Sequence, residues 1–321
     1  MNKNKYIILV TGASGFIGRE LIKKLLTEGH KVIGLVRKNI NIFNSESYEN
    51  LLVNDISQVV SISHIKKIDI VIHLAAKTHS QNNNYKDYYK TNVLGTENII
   101  NLAVKKNVKF ILMLSSIKVN GEGFSNNKIE YTEKSETLPK DAYGISKLES
   151  ENILIKDSIK NNISYVVLRP PLIYGKGAKG NLLKLIKHVE KGLPLPFISG
   201  ENKRSILSLN NLIDAIIKIL YNTNSHNNVY LISDDIPVNP EDLYSVIANK
   251  LNKKLVKIKV NKKLLQILLW PIGKSRMVEK ISNSLIIDNS KIKNTLGWKP
   301  RITLDDDIHN MVKGYKNFNE E

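Results

Sequence analysis

The chain has 321 residues, 42% of them hydrophobic, which is ample for a buried core in one elaborated domain or two moderate ones. Its 48 basic residues against 30 acids leave a net charge of +18, yet only six are arginines (Arg19, Arg37, Arg169, Arg204, Arg276 and Arg301) and the lysines are dispersed among asparagines. That pattern describes a solvated surface rather than a phosphate track, so no nucleic-acid partner is expected, and the absence of cysteine excludes a disulfide framework or a thiolate metal site.

Residues 1–5 show no secretory signal and run into an apolar strand, residues 6–10, as in a cytoplasmic protein. Thr11-Gly12-Ala13-Ser14-Gly15-Phe16-Ile17-Gly18 follows, and residues 19–26 then repeat apolar positions at helical spacing. Strand, glycine turn and helix are the order a dinucleotide site requires. Gly12 permits the tight turn, Gly15 lets the backbone approach a pyrophosphate, and Gly18 lets the helix lie close on the strand. Amides at the helix start, around Ser14, Phe16 and Ile17, then meet the negative charge.

Residues 31–36 read as the second strand. An adenosine ribose with a free 2′-hydroxyl is usually held by an acid at the end of this strand, but here the place holds Val36, followed by Arg37. Valine accepts no hydrogen bond, whereas a guanidinium suits a 2′-phosphate, so the pair favours NADP(H) over NAD(H). The alternative is that Arg37 stacks on adenine or points to water.

Residues 51–56 read as a third strand, ending at Asp55 and Ile56, where the acid could meet the adenine amino group. Residues 68–76 form the clearest buried strand, nearly continuous in aliphatic side chains. Its end, Leu74, Ala75 and Ala76, lets a cofactor sit close, and His73 within it is expected as a satisfied core histidine. A helix over residues 88–106, carrying Asn92, leads to a strand over 110–114 that ends in Ser115-Ser116. This alternation predicts an α/β fold, a doubly wound parallel sheet of Rossmann type with ligands at the strands' carboxyl ends.

A polar loop over 121–140 precedes a helix running from Tyr143 to about residue 161, a strand over 164–168, and Arg169-Pro170-Pro171. From Leu172 the rhythm breaks into a glycine-rich loop over 173–181, helices over 182–191 and 210–221, a stop at 193–196, a strand over 228–232 and helices over 239–251 and 262–269. Residues 264–272 are about half the roughly 18 apolar residues a membrane span needs, and Lys262 and Lys263 precede them. Packing rather than stable membrane insertion is expected there, with at most weak attraction to an anionic surface. Residues 317–321 read as a loose tail. The expected division is a dinucleotide-binding domain over 1–171 and a smaller substrate-carrying lobe over 172–321, with segments that can interleave.

The second constellation is Ser116, Tyr143 and Lys147. A spacing of i, i+4 puts Tyr143 and Lys147 on one helix face, so the ammonium lies near the phenol. A free tyrosine is a poor base at neutral pH; an adjacent lysine and an oxidised nicotinamide favour the phenolate, which can take a proton from a sugar hydroxyl or return one in reduction. Ser116 at a strand end can hold the same oxygen.

With these residues the chain resembles the extended short-chain dehydrogenase/reductase family, in its NAD-dependent epimerase/dehydratase group, over nearly its whole length. The resemblance is carried by Thr11 to Gly18, His73 to Ala76, Asn92, Ser115-Ser116, Tyr143 to Lys147, Arg169-Pro170, Tyr174-Gly175, Asn181, Arg204, Asp288 with Lys291, and Leu296 to Pro300. It implies that Ser116 takes the catalytic serine place, that Tyr143 is the acid/base, and that Lys147 also holds the nicotinamide ribose. It further implies that Asn181 and Arg204 hold the diphosphate of a UDP-sugar, that Asn92 packs helices, and that the protein is a homodimer through the helices near Asn92 and Tyr143.

Departures from the family pattern select among its reactions. Dehydratases of the group carry an acidic pair directly after the catalytic residue, where this chain has Ile117 and Lys118; epimerases usually hold NAD through the ribose acid, where it has Val36. Residues 115–122, 169–175 and 204–207 resemble bacterial UDP-4-keto-6-deoxy-N-acetylhexosamine reductases of surface-polysaccharide synthesis. The expectation is therefore a nucleotide-sugar 4-ketoreductase using NAD(P)H. A UDP-hexose 4-epimerase with retained NAD and a non-catalytic dinucleotide-binding regulator are the alternatives.

Overall fold

A computed structural model describes residues 4–38, 43–58, 62, 64–80, 83–124, 130–198, 202–260 and 283–320. The segments expected as helix over 262–269 and as a packing segment over 264–272 lie outside the described residues. Seven strands form one parallel sheet: β1 (Ile7–Thr11), β2 (Lys31–Val36), β3 (Tyr48–Leu52), β4 (Ile70–His73), β5 (Phe110–Leu114), β7 (Ser164–Arg169) and β11 (Asn228–Leu231), the intervening numbers belonging to short strands outside it. Their order across the sheet is β3-β2-β1-β4-β5-β7-β11, so the chain reverses direction between β1 and β4. That reversal leaves a crevice beyond the carboxyl ends of these two strands, the place where doubly wound sheets bind ligands.

Alternation along each strand divides the core between two helical layers. Ile8, Val10, Ile70 and Ile72 face one layer with Leu21, Ile22 and Leu25 of α1 (Phe16–Thr27) and with Leu212 and Ile216 of a later helix, while Leu9, Val71, Ile111 and Met113 face Ile99, Ala103 and Leu154. The opposite layer consists of α2 (Tyr85–Tyr88), a π-helical segment (Tyr89–Leu94), α3 (Gly95–Lys105) and α4 (Ala142–Lys160). The helix expected over 88–106 thus starts earlier, because Asn84 caps it by accepting from Lys86 N at 3.1 Å. It also widens into a π turn at Asn92, a feature that recurs at functional sites.

Beyond β7 the chain builds a smaller layer and then returns to the sheet. It comprises β8 (Leu172–Tyr174), α5 (Asn181–Glu190), β9 (Leu195–Ile198), β10 (Ile206–Ser208), α6 (Leu209–Leu220), α7 (Pro240–Leu251), β12 (Lys257–Val260), β13 (Ile286–Ile287), α8 (Ser290–Leu296) and α9 (Leu304–Glu320), while β6 (Glu130–Tyr131) pairs with β13. Leu182, Ile186, Leu243, Ile247, Ile308 and Met311 make a second core that joins α5, α7 and α9. Residues 209–231 cross back: α6 covers the first layer and β11 pairs with β7.

Three local expectations change. The helix ends at Glu190, ahead of the expected stop at 193–196, and the chain then enters strand β9, which among the described residues pairs with β12 alone; its Pro196 is tolerated because edge strands can spare a backbone donor. The third strand lies at 48–52, upstream of the expected 51–56, because Asp55 turns the chain by accepting from Ser57 N at 2.9 Å. The expected loose tail is helical through Glu320, anchored on the small-layer core by Ile308, Met311, Val312 and Tyr315.

Candidate active site

The glycine turn lies between β1 and α1 at the reversal point. Gly12 has φ of +69°, and a Cβ there would stand 3.0 Å from Ala75 N; a Cβ at Gly18 would lie 2.3 Å from the Gly12 carbonyl oxygen. The turn and helix therefore close onto β4 in a way no larger residue permits. Gly15 is the N-cap of α1, no side chain caps the helix, and no acid occupies its first turn, so its positive end is left for an anion. Ser14 carries the carbonyl that accepts from Arg19 Nε at 3.2 Å, while Phe16 and Ile17 pack on the core and fix the first turn. Thr11 Oγ1 accepts from the amides of Leu74 and Ala75 at 3.1 and 3.0 Å, tying the end of β4, and with it Ala76, to the turn.

The adenine-side residues are dispersed around this turn. Val36 is buried at the end of β2 and Arg37 is exposed immediately after it. Asp55 pairs with Lys90 at 2.8 Å, and its backbone and side-chain bonds to Ser57 and Lys90 outweigh burial and hold its carboxyl below the ordinary range. Ile56 is buried beneath Gly95, where a Cβ would lie 2.8 Å from Ile56 Cγ2, so its side chain packs directly on the start of α3. His73 is buried between Thr11 Oγ1 at 2.8 Å and Thr96 Oγ1 at 3.0 Å; burial, reinforced by Lys147, drives its pKa down to about 3, and it stays neutral. It is a satisfied core histidine.

Ser116 follows β5 and caps a single 3₁₀ turn (Ile117–Val119), while Tyr143 and Lys147 sit one turn apart on α4. Burial pushes the Tyr143 phenol pKa up, the neighbouring Ser116 hydroxyl opposes this, and Asp141 and Tyr88 add to it. Lys147 is fully buried, which lowers its pKa to about 8, while Glu151 one turn further opposes the shift. Glu151 is itself held in a buried pair by Arg169, with Nη2 to Oε2 at 2.6 Å, and Arg169 Nη1 donates to Asn120 Oδ1 at 3.1 Å. Removing one partner of such a pair costs about 3–5 kcal/mol, so β7, α4 and the segment after the 3₁₀ turn behave as one block.

Asn92 joins that block to β4. Its amide donates to Ser146 Oγ at 2.9 Å and its oxygen accepts from Lys77 N at 2.7 Å, so it packs helices without reaching the cavity wall.

A cavity of about 700 Å³ has Ser116, Tyr143, Asn181 and Arg204 together in its wall. Asn181 opens α5, whose N-cap Gly180 at φ +64° faces His79 and offers no side-chain cap. Arg204 is pinned by backbone pairing with Val238 and Leu285 and by donating to the Asn283 carbonyl at 3.1 Å; burial lowers its pKa, and Glu122 opposes that shift. Sequence reasoning did not select Thr78, His79, Tyr88, Leu172 or Tyr244, which complete the wall. They come from four separate segments and share no local pattern. Lys118 also lines the wall, and its place two residues after Ser116 was the available signal. A second chamber of about 880 Å³ shares Gly121, Glu122 and Asp141 with the first.

Among the described residues no cluster of three or more His, Asp or Glu side chains is arranged to hold a metal, and no helix is long and apolar enough to cross a membrane. The Gly12–Gly18 turn fits a dinucleotide pyrophosphate, by its uncapped helix end and by the space that only glycine leaves.

The model of the NAD dependent epimerase/dehydratase family matches residues 8–233. A UDP-glucose 4-epimerase of Vibrio cholerae is 33% identical over 315 residues, 96% of this chain and 95% of its own length. A dTDP-4-dehydro-6-deoxyglucose reductase of Escherichia coli is 24% identical across 98% of this chain and 99% of its own. Among solved structures, UDP-glucuronic acid 4-epimerase from Bacillus cereus in complex with NAD superposes with a TM-score of 0.81 at 20% identity, covering 97% of this chain and 99% of that one.

Proposed function

Because the chain belongs to the NAD dependent epimerase/dehydratase family, we propose that it reduces the C4 keto group of a UDP-4-keto-6-deoxy-N-acetylhexosamine. The observation that carries this reading is one cavity lined by Ser116, Tyr143, Asn181 and Arg204, with a cation, Lys118, where elimination needs an acid. The chemistry a nicotinamide dinucleotide brings to the glycine turn is hydride transfer. Tyr143, kept protonated by burial, donates its proton to the C4 oxygen as hydride arrives at C4, which gives the secondary alcohol. Ser116 holds that oxygen, and Lys147 supplies the charge that stabilises the phenolate left behind. Asn181 and Arg204 orient the diphosphate by amide donation and a forked cation.

NADP(H) is favoured over NAD(H) because Val36 is buried and Arg37 is the exposed polar group at the end of β2. The second reading, a UDP-hexose 4-epimerase with retained NAD, is favoured by the relative from Vibrio cholerae. A dinucleotide-binding regulator would have no use for the buried Lys147 beside Tyr143.

The deciding experiment follows NAD(P)H absorbance with a UDP-4-keto-6-deoxy-N-acetylhexosamine, offering NADPH and NADH in turn. Oxidation of either supports the reductase, and Tyr143→Phe should remove most turnover while sparing dinucleotide binding. Stoichiometric NAD in the purified protein, with C4 inversion of a UDP-hexose and no NAD(P)H oxidation, would replace it by the epimerase.

A further inference from the structure

Lys118 does more than stand where elimination would need an acid. Its ammonium forms an ion pair with Asp141, lies 3.4 Å from Glu122 Oε1 and stands 5.8 Å from the centre of the Tyr143 ring. Asp141 is the N-cap of α4, accepting from Gly144 N at 2.8 Å, and is thus two residues before the catalytic phenol. The backbones also meet: a Cβ on Gly144 would lie 2.8 Å from the Lys118 carbonyl oxygen.

The groups around Tyr143 can be sorted by the element that presents them. From α4 and its cap come Lys147 and Asp141; from the 3₁₀ turn, Ser116 and Lys118; from the following loop, Glu122; and from α2, Tyr88, whose ring centre lies 6.0 Å from that of Tyr143. Asp141 and Tyr88 raise the proton affinity of the phenol. An ammonium that pairs with Asp141 opposes the first of these.

We propose that Lys118 is a second positioning lysine for Tyr143, acting from the substrate side of the cavity as Lys147 acts from within the core. By pairing with Asp141 it compensates the carboxylate beside the phenol and fastens the first turn of α4 to the turn that carries Ser116. This rests on Tyr143 being the acid/base. A unit charge left uncompensated at this range, in the effective dielectric of a protein cavity, shifts a phenol by on the order of one pH unit.

The test is a double-mutant cycle read by tyrosinate absorbance in NAD⁺-loaded protein, taking as the Tyr143 signal the part lost in Tyr143→Phe. Lys118→Met should raise the midpoint by about one pH unit. Asp141→Asn should abolish that rise, so that Lys118→Met/Asp141→Asn titrates at or below the wild type, and Lys118→Arg should match it. The pH profile of kcat/KM for oxidation of the 4-hydroxy sugar should move with the same sign. If Lys118→Met titrates with the wild type, or Asp141→Asn leaves the rise in place, the proposal is overturned. Should Lys118→Met not fold, Asp141→Asn and Asp141→Asn/Lys118→Gln carry the cycle: the first, with its ammonium uncompensated, should titrate below the wild type, and the second should return to it. A wild type that turns over no 4-keto or 4-hydroxy nucleotide sugar would overturn the proposed reaction, while the absorbance titration would still decide the role of Lys118.

Discussion

Lys147 and Tyr143 are displaced in opposite directions by the same cause. Burial drives each toward its neutral form, lowering the lysine to about 8 and raising the phenol. For reduction the phenol must hold its proton and the lysine must be charged. Lys147 loses its charge as pH rises through about 8, so kcat/KM for reduction should be level below that value and fall above it. A pH series on the purified enzyme checks this, and a profile level through pH 9 would contradict it. The sign for folding differs. The folded pKa of Lys147 lies below its ordinary 10.5, so its burial is most costly below about pH 8, and the penalty is relieved as pH climbs toward 10.5. The residue types and their helical spacing were legible in the sequence, whereas the protonation states were not, because both depend on burial that the local sequence does not encode.

At the scale of elements, the glycine turn and α4 do most to position chemistry. A Cβ on Gly18 meets the Gly12 carbonyl oxygen at 2.3 Å and the Ala13 carbonyl oxygen at 2.8 Å, both backbone atoms that cannot turn aside. Gly18→Ala should therefore push α1 from β1, with the roughly 1–3 kcal/mol cost typical of overpacking. Dinucleotide affinity should fall about tenfold or more, since 1.4 kcal/mol is one decade. Calorimetric titration of NAD⁺ and NADP⁺ measures both this loss and the cofactor preference at Arg37; an unchanged affinity would contradict the geometry. The π turn at Asn92 and the N-cap Asn84 were less legible. A π turn has no local residue signature, and Asn84 registers as a cap only once the helix start is known.

For the whole molecule, the expected homodimer is a proposal that the exposed side chains make testable. Tyr89 on the π segment and Ile145 on α4 are each 39% exposed, on the elements that surround Tyr143. Light scattering at micromolar concentration should give twice the 36.3 kDa chain mass. Ile145→Asp should lower that mass, and a wild-type monomer would refute the proposal.

The sequence by itself determined the parallel α/β layer, because unbroken aliphatic strands alternating with amphipathic helices have one stable way to bury both faces of a sheet. It also determined the glycine turn and the placing of Tyr143 and Lys147 one turn apart on α4, since both are set by local spacing. Only the tertiary structure decided that Asn181 and Arg204 share a cavity with Ser116 and Tyr143. It alone returned residues 209–231 to the first layer and placed Lys118 against Asp141. Those contacts join segments far apart in the chain, and their formation depends on how the two cores close on each other rather than on any local pattern.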